Sequence, residues 1–245
     1  MKRIVNGQTD GMLTEVGEEQ AMKLGKRLQK VIFDDIYCSD LKRTKDTLGK
    51  ILFSQPQDTN LSVFYTKELR EINVDSIEGQ PWEVEIKIRN SETIPFRLTK
   101  TGDKGDESWA DVFCRISKFL DDIIRKYVNP KYESNINENN YLDINKGENS
   151  DYLKGGDVKV LFEKGELTKE VKETGQEKKV LIVAHGGILS EFINNLLYRM
   201  GKKIALEIPS YNCTLYKIKI TNKENDDSGK VDISFELFDD YSHLQ

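Results

Sequence analysis

A histidine stands in the chain where a ligand-binding side chain is expected, between a strand and a helix. Val180 to Ala184 is an apolar run rich in β-branched residues, which is typical of a strand buried on both faces of a parallel sheet. His185-Gly186-Gly187 follows at once, and apolar residues then recur at helical spacing. Ligands bind at the carboxyl ends of strands in open α/β sheets, and helix N-termini attract anions. The pattern favours an anion-binding role for His185, and a histidine that only caps its turn is the alternative.

Arg43 is a second candidate for the same chemistry. The stretch SDLKRTKDTLGKIL, from Ser39 to Leu52, predicts a helix that Ser39 and Asp40 would cap. Arg43 falls in its first turn, where a positive charge works against the helix dipole. A cation in that position indicates an anion held jointly by the guanidinium and nearby N–H groups. The alternative is an arginine that is simply solvated.

The remaining pattern predicts the elements that would position these side chains. Thr14 is expected to cap a helix with a buried stripe at Ala21, Leu24 and Leu28, and Asp106 or Ser108 is expected to start another helix. Strands are predicted at Ile32 to Cys38 and Leu61 to Tyr65, and an antiparallel hairpin at Thr214 to Ile220 and Val231 to Leu237.

One long segment differs in composition from the rest of the chain. Residues 127–178 are rich in Asn, Glu, Lys and Gly and poor in apolar residues, so we predict a largely disordered insertion there. Val158 to Phe162 would form a short strand within it. We expect the whole of residues 1–245 to form one domain around this insertion.

Composition narrows the class of protein. The chain has 245 residues, 37% hydrophobic and 32% charged, with a net charge of −5 and a pI near 5.4. An acidic chain of this kind argues against nucleic acid or an anionic membrane as a partner. No apolar run is long enough to span a membrane and no secretory signal is visible. Three widely spaced cysteines fit reduced thiols, so we expect a cytoplasmic protein.

Five motifs together resemble one known family. In chain order they are NGQTDGxLTxxGxxQAxxLGxxL, YCSDLxRTxxT, LREI followed by EG, GDES, and VAHGG. This order is similar to the histidine phosphatase superfamily, whose fold is phosphoglycerate mutase-like. Within the superfamily, LREI followed by EG resembles the phosphatase branch. SDLKRTK and the long polar insertion before His185 are most similar to the TIGAR-type fructose-2,6-bisphosphatases. The resemblance implies an α/β three-layer sandwich, with a mostly parallel sheet, helices on both faces and a C-terminal antiparallel hairpin.

The resemblance also implies roles for particular residues. His185 would hydrogen-bond a phosphoryl oxygen, and Glu71 would protonate the leaving oxygen and then deprotonate the attacking water. The substrate's phosphate would be bound by Arg43 and the Gly186 N–H, and by the loop that begins at Asn6 and Gly7. Glu107 would support the site. No metal or organic cofactor is implied, and the partner would be a small phosphorylated substrate.

One family motif is not found in the sequence. Members use the histidine of an R-H-G-E-T-x-x-N segment as the nucleophile, on a central strand beside the one predicted at Val180 to Ala184. This chain contains two histidines, His185 and His243, and the second is near the C-terminus. We hypothesise that the chain is an N-terminally truncated form of a longer active phosphatase, lacks the first central strand and is inactive alone.

Two other functions fit the same motifs. The first is a catalytically silent protein that binds a phosphometabolite or acts as a scaffold. The second is a mutase, although the LREI motif differs from the mutase version. The substrate would be chosen between Trp82 and Lys104, where basic side chains would bind a second phosphate or a carboxylate or would simply be solvated: Lys87, Arg89, Arg97 and Lys100.

Overall fold

A computed structural model describes most of the chain. It covers residues 4–55, 61–91, 97, 99–102, 105–134, 136, 153, 155–164, 166, 177–205, 208, 211–223 and 229–245. The α-helices described are α1 (Glu15–Leu28), α2 (Lys42–Phe53), α3 (Trp82–Ser91), α4 (Trp109–Tyr127), α5 (Gly155–Glu163) and α6 (Gly186–Arg199). The strands described are β1 (Asp35–Ser39), β2 (Ser62–Thr66), β3 (Val180–Val183), β4 (Leu215–Asn222) and β5 (Val231–Asp240). No helix among these residues is long and apolar enough to cross a membrane.

Local side-chain caps explain where two helices begin. The Thr14 hydroxyl accepts from the Gly17 N–H at 3.1 Å at the start of α1. At α4, the Ser108 hydroxyl accepts from Asp111 N–H while the Asp111 carboxylate accepts from Ser108 N–H, which forms a capping box. The predicted starts of both helices are confirmed.

Helix α2 is capped differently from the prediction. Its N-cap residue is Leu41, which offers no side-chain acceptor. The Asp10 carboxylate, from the N-terminal loop, accepts from the Lys42 N–H at 2.9 Å instead. The predicted capping by Ser39 and Asp40 is therefore wrong, because a distant carboxylate takes this N–H and Ser39 is the last residue of β1.

The central sheet has the order β2-β1-β3, and both pairs are parallel. Successive residues of a strand point to opposite faces, and the burial pattern follows this alternation. Ile36 and Cys38 belong to the apolar cluster formed with α1 and α2. Tyr37 and Ile182 pack against the cluster formed by α4 and α6. The sheet is thus covered by helices on both faces, which confirms the predicted three-layer α/β fold.

Strands β4 and β5 form the predicted antiparallel hairpin. Ile218, Ile233 and Phe235 join the same cluster as Ile182, so the hairpin and the central sheet pack on a common core. The described residues place no strand between β3 and β4, and the two sheets are not hydrogen-bonded to each other.

Part of the segment predicted as an insertion, residues 127–178, packs against the core. Tyr132 is buried, and Leu161 packs against the α4–α6 cluster. The strand predicted at Val158 to Phe162 is wrong, because these residues lie in α5. Five apolar or mixed residues fit a short strand or one and a half turns of helix equally well, and tertiary packing decides between them. Much of the remaining segment lies outside the described residues.

Candidate functional site

The candidate site lies where the carboxyl ends of β1 and β3 meet the N-termini of α2 and α6. Ser39 ends β1, and Arg43 is the second residue of α2. His185 follows β3 and is the N-cap residue of α6. Parallel neighbours end at the same edge of a sheet, so the topology brings these three residues together.

Arg43 contacts His185 directly. The Arg43 Nε–H donates to His185 Nδ1 at 3.1 Å. The other two guanidinium nitrogens donate to backbone carbonyls of the N-terminal loop, to Thr9 O at 2.8 Å and to Gly7 O at 2.7 Å. The guanidinium therefore joins the histidine to the loop, and carbonyl oxygens occupy the donors that an anion would use.

The His185 ring is held in a dry, positive environment. Its side chain is buried, with 8% of the residue exposed. Burial, together with the fields of Arg43 and Arg115, lowers its pKa to about 3, against a smaller opposing effect of Asp40. The imidazole is consequently neutral at pH 7.

Glu71 lies beside the start of α6. Its carboxylate accepts from its neighbour's N–H, on Ile72, at 3.0 Å, and from the Gly187 N–H at 3.3 Å. Burial raises the pKa of Glu71, and these two hydrogen bonds and the charge of Arg43 only partly offset that effect. The site thus combines a fixed cation, a neutral histidine and a carboxyl group that holds its proton to a higher pH than usual.

Glu107 does not contact Arg43 or His185, but it holds the segment that carries Glu71. Its carboxylate forms a two-point ion pair with Arg115 and also accepts from the Asn73 N–H at 2.9 Å. Arg115 in turn donates to the carbonyls of Glu68 and Arg70. This pair therefore fixes both ends of the short segment that carries Glu71.

The glycines at the site allow close backbone approach. A Cβ on Gly7 would lie 2.6 Å from Ile72 O, and one on Gly187 would lie 2.6 Å both from Glu71 Oε1 and from the ring of Trp109. Such distances leave no room for a side chain. Gly186 is exposed at the first position of α6.

Asn6 is exposed, and among the described residues its side chain makes no hydrogen bond into the pocket. Gln8 lies there instead and donates to Glu71 O at 3.0 Å. The Glu78 carboxylate accepts from the N–H groups of Gln8 and Thr9 and holds this loop.

Sequence reasoning did not find several residues of the site. Ser39 contacts His185 Nε2 at 2.9 Å, and Gly187 and Trp109 enclose Glu71. Ser39 follows a strand as His185 does, so the same rule applied to β1 would have found it. Arg115 gave no such signal, because its partner Glu107 lies eight residues earlier, before the N-cap residue of α4, and the contact depends on packing.

Arg97 does not serve as a substrate-binding side chain or as solvated surface. Its guanidinium is 1% exposed and donates to both oxygens of Glu191 in α6, at 2.8 and 2.5 Å. Lys100 forms an ion pair with Asp111. The Arg97 contact is buried and structural, whereas the Lys100 pair is half exposed and agrees with the alternative of a solvated side chain. Among the described residues, no group of three or more His, Cys, Asp or Glu side chains could hold a metal ion.

Fold and site together define an α/β protein in which Arg43, His185 and Glu71 lie together at the carboxyl ends of the central strands. The family model described as histidine phosphatase superfamily (branch 1) matches residues 1–131, which is more than half of the 245 residues. The chain therefore belongs to the histidine phosphatase superfamily.

Curated relatives fall in the same family. A broad-specificity phosphatase of Saccharomyces cerevisiae is 40% identical over 81 residues, 32% of this chain and 35% of the relative. A probable phosphatase of Schizosaccharomyces pombe is 22% identical over 247 residues, 99% of this chain and 88% of the relative. The fructose-2,6-bisphosphatase TIGAR of Xenopus tropicalis is 28% identical over 206 residues, 80% of this chain and 70% of the relative. The match thus spans only about a third of the Saccharomyces cerevisiae phosphatase but most of the length of the other two relatives.

Solved structures show the same fold. Bacillus stearothermophilus YhfR is 20% identical with a TM-score of 0.60, covering 99% of this chain and 92% of that one. A mycobacterial glucosyl-3-phosphoglycerate phosphatase in complex with VO3 is 18% identical with a TM-score of 0.60, covering 96% of this chain and 90% of that one. Both establish the phosphoglycerate mutase-like fold of this chain.

Proposed function

We propose that this chain carries the phosphate-binding and acid–base part of a phosphatase of the phosphohistidine type. Its substrate would be a small phosphorylated metabolite such as a sugar bisphosphate. The observation that carries the proposal is the contact of Arg43 with His185, with the Glu71 carboxylate bound to the N–H of Gly187 two residues further on.

Each group has a chemical role in this proposal. Arg43 binds two phosphoryl oxygens, exchanging the carbonyls of Gly7 and Thr9 for a dianion that interacts more strongly with a guanidinium. His185 contacts a third oxygen, where charge gathers in the transition state. Glu71 protonates the leaving oxygen, and burial, which raises its pKa, keeps the carboxyl group protonated to a higher pH than usual, as a general acid requires.

We further propose that the attacking imidazole comes from a segment that these 245 residues do not contain, as in an N-terminally truncated form. Both ring nitrogens of His185 are occupied by Arg43 and Ser39. His243 lies in the 3-10 helix Ser242–Leu244, which packs against α1. Without a second histidine in the pocket, the chain would lack the covalent route, and loss of a nucleophile typically costs on the order of 10⁴ to 10⁶-fold in rate.

The names of the relatives support a phosphometabolite as substrate. The Xenopus relative is named as a fructose-2,6-bisphosphatase and the mycobacterial neighbour as a glucosyl-3-phosphoglycerate phosphatase. A cytoplasmic location, without nucleic acid or a membrane as partner, is part of the same proposal and rests on the acidic composition and the odd, widely spaced cysteines.

A catalytically silent binding or scaffold protein is the second candidate. The observation that favours it is that the guanidinium, the neutral histidine and the carboxyl group are all present in a pocket with one histidine. Such a protein would bind the same ligands without turnover.

The test compares hydrolysis with binding. The purified chain is incubated with p-nitrophenyl phosphate and with fructose 2,6-bisphosphate, and acid-labile phosphohistidine is measured. We expect no hydrolysis, but we expect inorganic phosphate to raise the melting temperature. Arg43→Ala should abolish that rise, while Lys42→Ala, which removes an exposed positive charge from the preceding position, should keep it.

Extending the chain separates the candidates. If a longer form with an upstream R-H-G segment hydrolyses these substrates, and His185→Ala removes the activity, the phosphatase is supported and the scaffold is rejected. Interconversion of phosphoglycerates by that form would instead support a mutase. A melting temperature that phosphate does not change would contradict both the phosphatase and the scaffold.

A further inference from the structure

Ser39 has no role in the chemistry described so far, yet it contacts His185 at the buried side of the ring. It is the last residue of β1 and is fully buried. Its Oγ lies 2.9 Å from His185 Nε2 and accepts from the Leu41 N–H at 3.4 Å. The imidazole therefore lies between a serine hydroxyl on one side and the Arg43 guanidinium on the other.

The two neighbours determine which ring nitrogen carries the proton. Arginine has only donors, so the Nδ1 atom that faces Arg43 Nε–H must present its lone pair. A neutral imidazole carries one proton, which therefore sits on Nε2 and is donated to Ser39 Oγ. A serine hydroxyl accepts this hydrogen bond as readily as it would donate one.

This assignment has a consequence for anion binding. A phosphoryl group beside Arg43 would face Nδ1, and its oxygens accept hydrogen bonds but do not donate them. His185 can contact such an oxygen only when Nδ1 carries a proton. In the site without ligand, adding a proton to make the imidazolium is opposed by burial and by the charges of Arg43 and Arg115, and the charge of Asp40 favours it only to a smaller extent. Changing the tautomer avoids that cost.

We propose that Ser39 is a positioning residue that holds His185 in the Nε2–H tautomer when the site is empty and in the Nδ1–H tautomer when a phosphate-like dianion is bound. In the bound state the Ser39 hydroxyl turns and donates to Nε2, while Nδ1–H donates to the anion. One proton leaves Nε2 for solvent and one enters Nδ1, so the ring stays neutral throughout. The bound half of the inference rests on the proposed function.

Histidine NMR measures this directly, because the chain contains only two histidines. The protein is labelled with ¹⁵N-histidine, and long-range ¹H–¹⁵N spectra are recorded with and without orthovanadate. His185→Gln assigns the signals. We expect the Nε2–H pattern without ligand and the Nδ1–H pattern with vanadate bound.

Variants of Ser39 test the cause. Ser39→Ala should keep the Nε2–H tautomer without ligand, because the Arg43 Nε–H still faces Nδ1. It should weaken vanadate binding by about two- to tenfold, the effect of one lost hydrogen bond, because Nε2 then has no hydroxyl donor in the bound state. Ser39→Thr keeps the hydroxyl and should restore vanadate binding. Ser190→Ala is the matched control, since Ser190 is also buried and bonded to a backbone N–H, that of Ile208, but lies outside the pocket.

The possible results are distinguishable. A ligand-free Nδ1–H tautomer, a doubly protonated ring in the complex, or an Nε2–H pattern that vanadate leaves unchanged would each overturn the inference. So would a Ser39→Ala variant that binds vanadate like Ser190→Ala. If vanadate does not bind at all, the proposed function and the bound half fail together, and the ligand-free spectrum still tests the assignment of the proton to Nε2. If Ser39→Ala does not fold, the wild-type spectra and Ser39→Thr still decide the outcome.

Discussion

Replacing Gly187 by alanine should damage the site and the fold together. The added Cβ would lie 2.6 Å from Glu71 Oε1 and 2.6 Å from Cη2 of Trp109. Neither neighbour moves freely, because the carboxylate is bound by the Ile72 N–H and the indole ring is rigid. Overpacking of this kind costs about 1–3 kcal/mol. Movement of Glu71 would also break its hydrogen bond to the Gly187 N–H.

Gly49 provides a matched control, because alanine at this position should raise the free energy of unfolding and not lower it. It lies inside α2, and a Cβ built on it meets no atom within 4 Å. Alanine is more favourable than glycine in a helix interior by about 0.8–1.0 kcal/mol, and Gly49 is in such a position, whereas Gly187 is the second residue of α6. Gly49→Ala should therefore stabilise the protein, and Gly187→Ala should be less stable than Gly49→Ala by about 1–3 kcal/mol.

The assay is equilibrium unfolding in urea, followed by circular dichroism and tryptophan fluorescence. Coincident transitions justify the comparison of free energies of unfolding. A parallel vanadate titration should show weaker binding for Gly187→Ala and unchanged binding for Gly49→Ala. If both variants were stabilised equally and bound vanadate equally, the close approach of Gly187 to Glu71 would be refuted.

Three further predictions concern buried ionisable side chains and their effect on the free energy of unfolding. Because the pKa of His185 is lowered from 6.5 to about 3, the folded state resists protonation, and stability should fall by about 1.4 kcal/mol per pH unit as the pH drops through that window. Urea unfolding of His185→Gln should lack this slope, and an unchanged slope would contradict the burial of the ring. The pKa of Glu71 is raised, so its effect on the free energy of unfolding has the opposite sign: stability is lost as the pH rises above the ordinary value of 4.5. Glu71→Gln should lack this pH dependence, and a variant that kept it would contradict the burial of the carboxyl group. Arg97→Met leaves the Glu191 carboxylate buried without its cation and should cost about 3–5 kcal/mol, whereas a cost below about 1 kcal/mol would show that the pair is solvated.

The sequence predicted the layers and part of the site because both follow from local patterns. Alternation and helical spacing identified the central strands and the helices that cover them. The rule that ligands bind at strand ends singled out His185, and the first turn of a helix singled out Arg43; the structure places these two side chains in contact. Glu71 was found through family resemblance, since its position depends on a loop.

What the sequence did not predict depends on contacts between distant residues. The cap of α2 comes from Asp10, 32 residues before Lys42. Arg97 looked like a surface cation, because nothing local shows that Glu191 lies opposite it, 94 residues away. Val158 to Phe162 is too short for periodicity to separate strand from helix, and packing decides.

The most direct test of the proposed phosphate-binding site is a crystal structure of this chain with orthovanadate. We predict one vanadate ion at the N-termini of α2 and α6, with Arg43 and His185 Nδ1 within hydrogen-bonding distance of its oxygens and Glu71 beside it. The carbonyls of Gly7 and Thr9 should no longer contact the guanidinium. A vanadate ion bound elsewhere, or a pocket in which Arg43 keeps both carbonyls at saturating vanadate, would contradict the account.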